Sequence, residues 1–148
     1  MRLRNTPAPG GPADTITRGV VRLMLDLGLA PLQEFRLTNK RRVDVAAIDP
    51  AGRFVVVEVK SSLADFRSDG KWHEYLDFCD YFYFAVAPDF PRDRLPDEHG
   101  LIVADAYGAA IVRAAAETPM NGTRRRAQTL RFARTGASRL AGQGDPAA

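Results

Sequence analysis

The chain has 148 residues, 45% hydrophobic and 26% charged, which suits a single domain with a core of its own. Its single cysteine, Cys79, excludes a disulfide framework and a cysteine-based zinc site, and no run approaches the ~18 apolar residues of a membrane span. The net charge of +3 is uneven: residues 1–64 hold ten Lys/Arg against six Asp/Glu, residues 65–105 four against ten, and residues 118–144 six Arg and no acid, so a polyanion-binding surface would draw on the two ends of the chain.

Residues 1–13 are rich in Pro and Gly and are expected to be disordered, as is the tail 141–148, leaving one domain over 14–140. The basic start is followed by no apolar stretch, so no targeting segment is expected and the protein is placed in a reducing cytoplasm. Asp14 or Thr15 can cap a first helix. Ile16, Val20, Leu23 and Leu27 recur there at helical spacing, and Gly28 can stop it. "QEFRL", with Phe35 and Leu37 alternating with Glu34 and Arg36, predicts a strand. "TNK" predicts a turn, and "RVDVAAI" and "RFVVVEVK" two further strands. After Ser62 the period changes, and a helix is expected with Trp72, Tyr75, Leu76 and Cys79 on one face. "YFYFAVAP" reads as a strand buried on both sides, "GLIVADAYG" as a strand and turn, and "AAIVRAA" as a sixth strand. A closing helix capped by Thr123 is expected to bury Leu130, Ala133, Ala137 and Leu140. The order α-β-β-β-α-β and onward predicts an α/β fold, a mixed central sheet flanked by helices. The early meander excludes an all-parallel sheet, and neither GxGxxG nor a P-loop is present.

Glu58 and Lys60 interrupt an otherwise apolar strand. Alternation puts Val55, Val57 and Val59 on one face and Phe54, Val56, Glu58 and Lys60 on the other, with Glu58 and Lys60 about 6.6 Å apart along the strand. The preceding "DPAG", Asp49–Gly52, has the residues of a three-residue hairpin loop with a glycine bulge. That loop pairs Asp49 with Arg53 and brings Asp44 opposite Glu58, their Cβ atoms about 5 Å apart. Like charges placed so destabilise a sheet. Either one carboxylate is protonated, or a cation lies between them: Lys60, or a divalent metal, which two convergent carboxylates suit. On this reading Glu58 and Lys60 lie exposed on a pocket face.

An Asp on one strand and E-x-K on the next resembles the PD-(D/E)xK nuclease superfamily, with Asp44, Glu58 and Lys60 at its signature positions. "RRVDVAAID", "VVVEVKSSLADFRSDGKWHEYLDFCDYFYFAV" and "GLIVADAYGAAIVR" are similar to the MmcB family of bacterial DNA-repair proteins, over Thr15 to Arg134. The resemblance implies a restriction-endonuclease-like fold and a DNA endonuclease dependent on Mg²⁺ or Mn²⁺. Asp44, Glu58 and the Val59 carbonyl would hold the metal, and Lys60 would orient water or stabilise developing charge. The alternative is a catalytically inactive nuclease-fold module that binds DNA or a repair protein. Many superfamily members place an acid on the first helix. Here that helix offers Arg18 and Arg22, and Glu34 is the candidate third carboxylate. Lys71 and Tyr75, four apart, partly match a Gln-x-x-x-Tyr pair of some members, with Lys71 in place of Gln.

Lys40, Arg41 and Arg42 precede the Asp44 strand. With Arg124, Arg125, Arg126, Arg131 and Arg134 they are the candidates for contacts to the DNA backbone, which give affinity and salt dependence with little sequence reading. Ser61 and Ser62 are expected to cap the next helix, His73 and His99 to lie at the surface, Trp72 to pack the helix, and Cys79 to be buried and inert.

Overall fold

The computed structural model describes residues 11–145. Six strands form one sheet in sequence order: β1 (Ala30–Arg36), β2 (Arg42–Ile48), β3 (Phe54–Val59), β4 (Tyr81–Val86), β5 (Gly100–Ala104) and β6 (Ala109–Arg113). β1–β2–β3 is an antiparallel meander, β3, β4 and β5 run parallel, and β6 returns antiparallel. Helices cover both faces, as the alternation of elements requires, and the arrangement is consistent with a restriction-endonuclease-like fold.

Helix α1 (Pro12–Asp26) packs Ile16, Val20 and Met24 against Val45, Ala47, Val55, Val57, Ala85 and Ile102 on one face of the sheet. Its N-cap is Gly11, three residues before Asp14, the earlier of the two expected caps, and Pro12 stands in its first turn, where the missing N–H of proline costs nothing. Leu27, expected on the apolar stripe, is 53% exposed because it falls past the last turn. Gly19 makes the close approach possible: a Cβ there would meet the Asp105 carbonyl oxygen at 2.2 Å and that of Gly108 at 2.6 Å.

The other face carries helix α2 (Leu63–Ser68), a 3₁₀ helix (Lys71–Phe78) and helix α3 (Gly122–Gly144). Ser62 caps α2, its side chain accepting the Asp65 N–H at 3.0 Å. The 3₁₀ helix buries Trp72, Tyr75 and Phe78, a spacing of three rather than the expected 3.6. Cys79 is buried, as expected, and burial raises its thiol pKa. His73 is exposed and stacks on Trp72. His99 departs from its expected surface position, because its ring packs among Trp72, Phe82 and Phe84, and burial lowers its pKa.

Helix α3 corrects the sequence reading most. Asn121, not Thr123, caps it, accepting the Arg124 N–H at 3.0 Å. Leu130 and Leu140 are 64% and 70% exposed. The face that docks instead carries buried Gln128 and Phe132, flanked by half-buried Arg125 and exposed Arg139, and each of the four meets a specific partner. Arg125 donates to both Asp80 oxygens and to the Gly52 carbonyl. Gln128 donates to the Phe78 carbonyl at 2.8 Å. Phe132 lies edge-on to Phe35 and Phe54. Arg139 spans the Gln33 and Glu34 carbonyls of edge strand β1. Residues 141–144, expected in a disordered tail, continue this helix, as Pro12 and Ala13 belong to α1. The rest of the expected disordered ends, 1–10 and 146–148, lies outside the described residues.

Asp80 joins these layers. It is 1% exposed and accepts from Phe54 N at 2.7 Å, Met120 N at 3.0 Å and Arg125. Burial would raise its pKa, but the Arg125 guanidinium and the two amides outweigh it, and the net shift is downward. Replacing Asp80 by Ala strands these donors, and urea unfolding is expected to show a loss of about 3–5 kcal/mol. Leu130→Ser, on the outer face of α3, is expected to stay within about 0.5 kcal/mol of wild type.

Candidate active site

The site is built by the β2–β3 hairpin. Asp49 N donates to the Arg53 carbonyl at 2.9 Å and Gly52 N to the Asp49 carbonyl at 3.0 Å, with Gly52 at φ +89°. Asp49 Oδ1 also accepts the Ala51 and Arg53 amides, and Oδ2 the Arg53 guanidinium at 2.7 Å. The loop is therefore the three-residue form read from the sequence. Strand pairs run Ile48↔Phe54, Ala47↔Val55, Ala46↔Val56 and Val45↔Val57, which puts Asp44 opposite Glu58 at the next step. There the ladder ends. The Val59 N–H, which the register would pair with Val43, donates instead to Asp44 Oδ2 at 2.7 Å. On the far side of β2, Glu34 takes φ +49°, and the face alternation of β1 breaks at the same level.

The structure brings Asp44, Glu58 and Lys60 together. Glu58 and Lys60 are 4% and 1% exposed, so the expected open pocket face is replaced by a covered one. The 3₁₀ helix packs over β3, and Tyr75 lies close enough to the carboxylates of Glu58, Asp69 and Asp44 for their charge, together with burial, to raise its phenol pKa. Lys60 Nζ lies 3.2 Å from Glu58 Oε2 and 2.5 Å from Asp69 Oδ2. Burial works against the Lys60 charge, but these two carboxylates outweigh it and its pKa is raised. Asp69 is lowered in turn, the Lys60 and Lys71 donors outweighing its own burial.

Glu58 Oε1 is buried and meets no hydrogen-bond donor. Its neighbour is the Asp44 carboxylate, and two such groups can join only through a proton or a cation. Burial first, then the charge and hydrogen bond of Asp44, push the Glu58 pKa up to about 9. Without a metal, burial and Asp44 thus favour the protonated form of Glu58. A buried acceptor with no donor, on a side chain next to a second carboxylate, fits a hard divalent cation. Among the described residues no three His, Cys, Asp or Glu side chains converge with metal-holding geometry, so the side-chain donors are two. Glu34 does not supply a third: it is two-thirds exposed, with its carboxylate 3.6 Å from Arg42.

The accessory candidates separate. In a 3₁₀ helix residues four apart point in different directions, so Tyr75 is buried while Lys71 is exposed. Asp69 escaped the sequence reading because it lies nine residues beyond Lys60 in a polar loop. Its signal was only an acid within reach of a buried lysine.

The basic residues divide in the same way. Arg41 makes a two-pronged contact with Glu74 at 3.0 and 2.9 Å, fastening the β1–β2 turn to the 3₁₀ helix. Arg42 pairs with Glu34, and Arg124 lies 4.9 Å over the Phe78 ring. Arg125 is committed to Asp80, which removes it from the candidate phosphate contacts. Lys40, Arg126, Arg131 and Arg134 are exposed. Arg131 and Arg134 line a groove of about 460 Å³ with Thr38, Leu130, Thr135 and Ser138. No helix among the described residues is long and apolar enough to cross a membrane.

Among solved structures the chain is similar to the SPO1766 protein of unknown function from Silicibacter pomeroyi. The two are 42% identical over 92% of this chain and 93% of that one, with a TM-score of 0.88. No curated protein matches. The family model described as DNA repair protein MmcB-like matches residues 10–147, which include every element that builds the site. The chain thus belongs to the MmcB-like family of DNA repair proteins.

Proposed function

We propose that the protein is a metal-dependent DNA endonuclease of the PD-(D/E)xK type acting in DNA repair. The observation that carries this reading is the buried Glu58 Oε1, without a donor, on a side chain that neighbours both Asp44 and a buried lysine. Asp44 and Glu58 would hold Mg²⁺ or Mn²⁺, with the Val59 carbonyl as the backbone donor that the superfamily resemblance supplies. A cation held there would supply Lewis acidity for a phosphate oxygen and for a water nucleophile at neutral pH. The chain's own residues do the rest. Asp44 is held in place by the Val59 amide. Glu58 would have to be ionised to act as a ligand, its proton passing to solvent. Lys60, fixed between two carboxylates, presents a positive charge where negative charge grows on the phosphate.

DNA would approach along Lys40, Arg126, Arg131 and Arg134, through its backbone. The cover over Glu58 and Lys60, and the absence of a third converging side-chain ligand among the described residues, favour a second reading: a nuclease-fold module that binds DNA or a repair partner without cutting. Cleavage of plasmid and branched DNA in Mn²⁺ separates the two. The first reading expects cleavage by wild type and none by Asp44→Ala, Glu58→Ala or Lys60→Met, all folded. A Glu58→Ala protein that cuts at the wild-type rate would sink it.

Mn²⁺ titration by calorimetry tests the site without a substrate. Wild type is expected to bind one class of site, more tightly as pH rises from 6 to 9, with proton release, and Asp44→Ala to lose that binding.

In the metal-free protein the folded pKa of Glu58 lies above its ordinary 4.5, at about 9. Its contribution to stability is therefore complete below pH 4.5 and is lost as pH rises through 9. Thermal unfolding should show Glu58→Gln more stable than wild type at pH 9, with the gap closing at pH 5.

For DNA binding, Arg131→Ala is expected to lower the slope of log affinity against log salt by about 1 while leaving stability unchanged. Arg125→Ala is expected to destabilise the fold instead.

A further inference from the structure

Lys60 sits between two carboxylates that hold it unequally. Its Nζ is 2.5 Å from Asp69 Oδ2 and 3.2 Å from Glu58 Oε2, and its side chain is 2% exposed. Asp69 is itself fixed at both oxygens: Oδ2 by Lys60, and Oδ1 by the Lys71 N–H at 2.8 Å, at the start of the 3₁₀ helix. The backbone beyond α2 thus holds this carboxylate at a set point above β3.

The contest at Glu58 is between two cations. Its Oε2 is already in contact with the Lys60 ammonium, and its Oε1 is buried without a donor. Were Asp69 neutral, the buried ammonium would have Glu58 as its remaining ion-pair partner among the described residues, and would close on it. An ammonium seated on Glu58 neutralises the charge that a divalent ion needs and occupies an oxygen that it would take.

We propose that Asp69 is a positioning residue that draws Lys60 Nζ away from Glu58, keeping the Asp44–Glu58 pair open to a divalent cation and the lysine fixed beside it. The proposal rests on the metal-site reading above. It gives the loop between α2 and the 3₁₀ helix a function that the three signature residues do not contain.

Mn²⁺ affinity, measured by calorimetry at one pH and ionic strength, tests it in wild type, Asp69→Asn, Lys60→Met and the double variant, with folding checked by thermal unfolding. Asp69→Asn is expected to weaken binding roughly tenfold, the scale of losing a residue that orients a metal ligand. Lys60→Met should bind at least as tightly as wild type, and adding it to Asp69→Asn should restore the affinity. If Asp69→Asn does not fold, Asp69→Ser is read in the same way. A residue that only supports the fold would give a loss that Lys60→Met does not repair, and that result overturns the proposal. So does wild-type affinity in Asp69→Asn, which leaves the metal site itself standing. Failure of wild type to bind Mn²⁺ removes the metal-site reading, and this proposal with it.

Discussion

The register of the β2–β3 hairpin decides which side chains meet at the centre of this molecule. Side chains alternate along a strand, so adding or removing one loop residue would turn Asp44 to the opposite face from Glu58. Asp49 prevents this by binding the Ala51 and Arg53 amides with one oxygen and the Arg53 guanidinium with the other, while Gly52 supplies the left-handed backbone that closes the loop. The same turn anchors the opposite layer, since Arg125 of α3 reaches its Gly52 carbonyl. A loop of three residues thus positions both the two carboxylates and the helix that closes their side of the sheet.

Two buried charge systems then sit on one face of that sheet and solve their desolvation differently. Asp80 has every oxygen engaged, by two amides and a guanidinium, and stays ionised as a fastener between β3, β4 and α3. Glu58 has one oxygen on Lys60 and one on nothing. A fully satisfied network rigidifies, whereas a half-satisfied one leaves part of its desolvation cost uncompensated. The two clusters thus differ in how completely their buried oxygens are paired.

The long cationic helix combines both uses of arginine. Arg125 and Arg139 serve the fold, one on a buried aspartate and the other, itself exposed, on the Gln33 and Glu34 carbonyls of edge strand β1. Arg126, Arg131 and Arg134 face outward beside exposed Leu130. One run of arginines therefore supplies both the glue beneath the helix and a positive surface above it.

The sequence alone determined the element order, the sheet with helices on both sides, the hairpin loop and, through it, the meeting of Asp44, Glu58 and Lys60. These follow from local rules: alternation along strands, turn chemistry, and the penalty for opposed like charges. Tertiary structure decided what lies beyond the reach of neighbours in sequence. Leucine spacing suggested the wrong face of α3, because its docking stripe is held by Arg125, Gln128 and Arg139, whose partners are 45, 50 and 106 residues away. Helical spacing paired Lys71 with Tyr75, but packing wound that segment into a 3₁₀ helix and separated them. Asp69 and the cover over Glu58 could be found only once the chain had folded back on β3, because burial and long-range ion pairs are properties of the assembled layers and leave no period in the sequence.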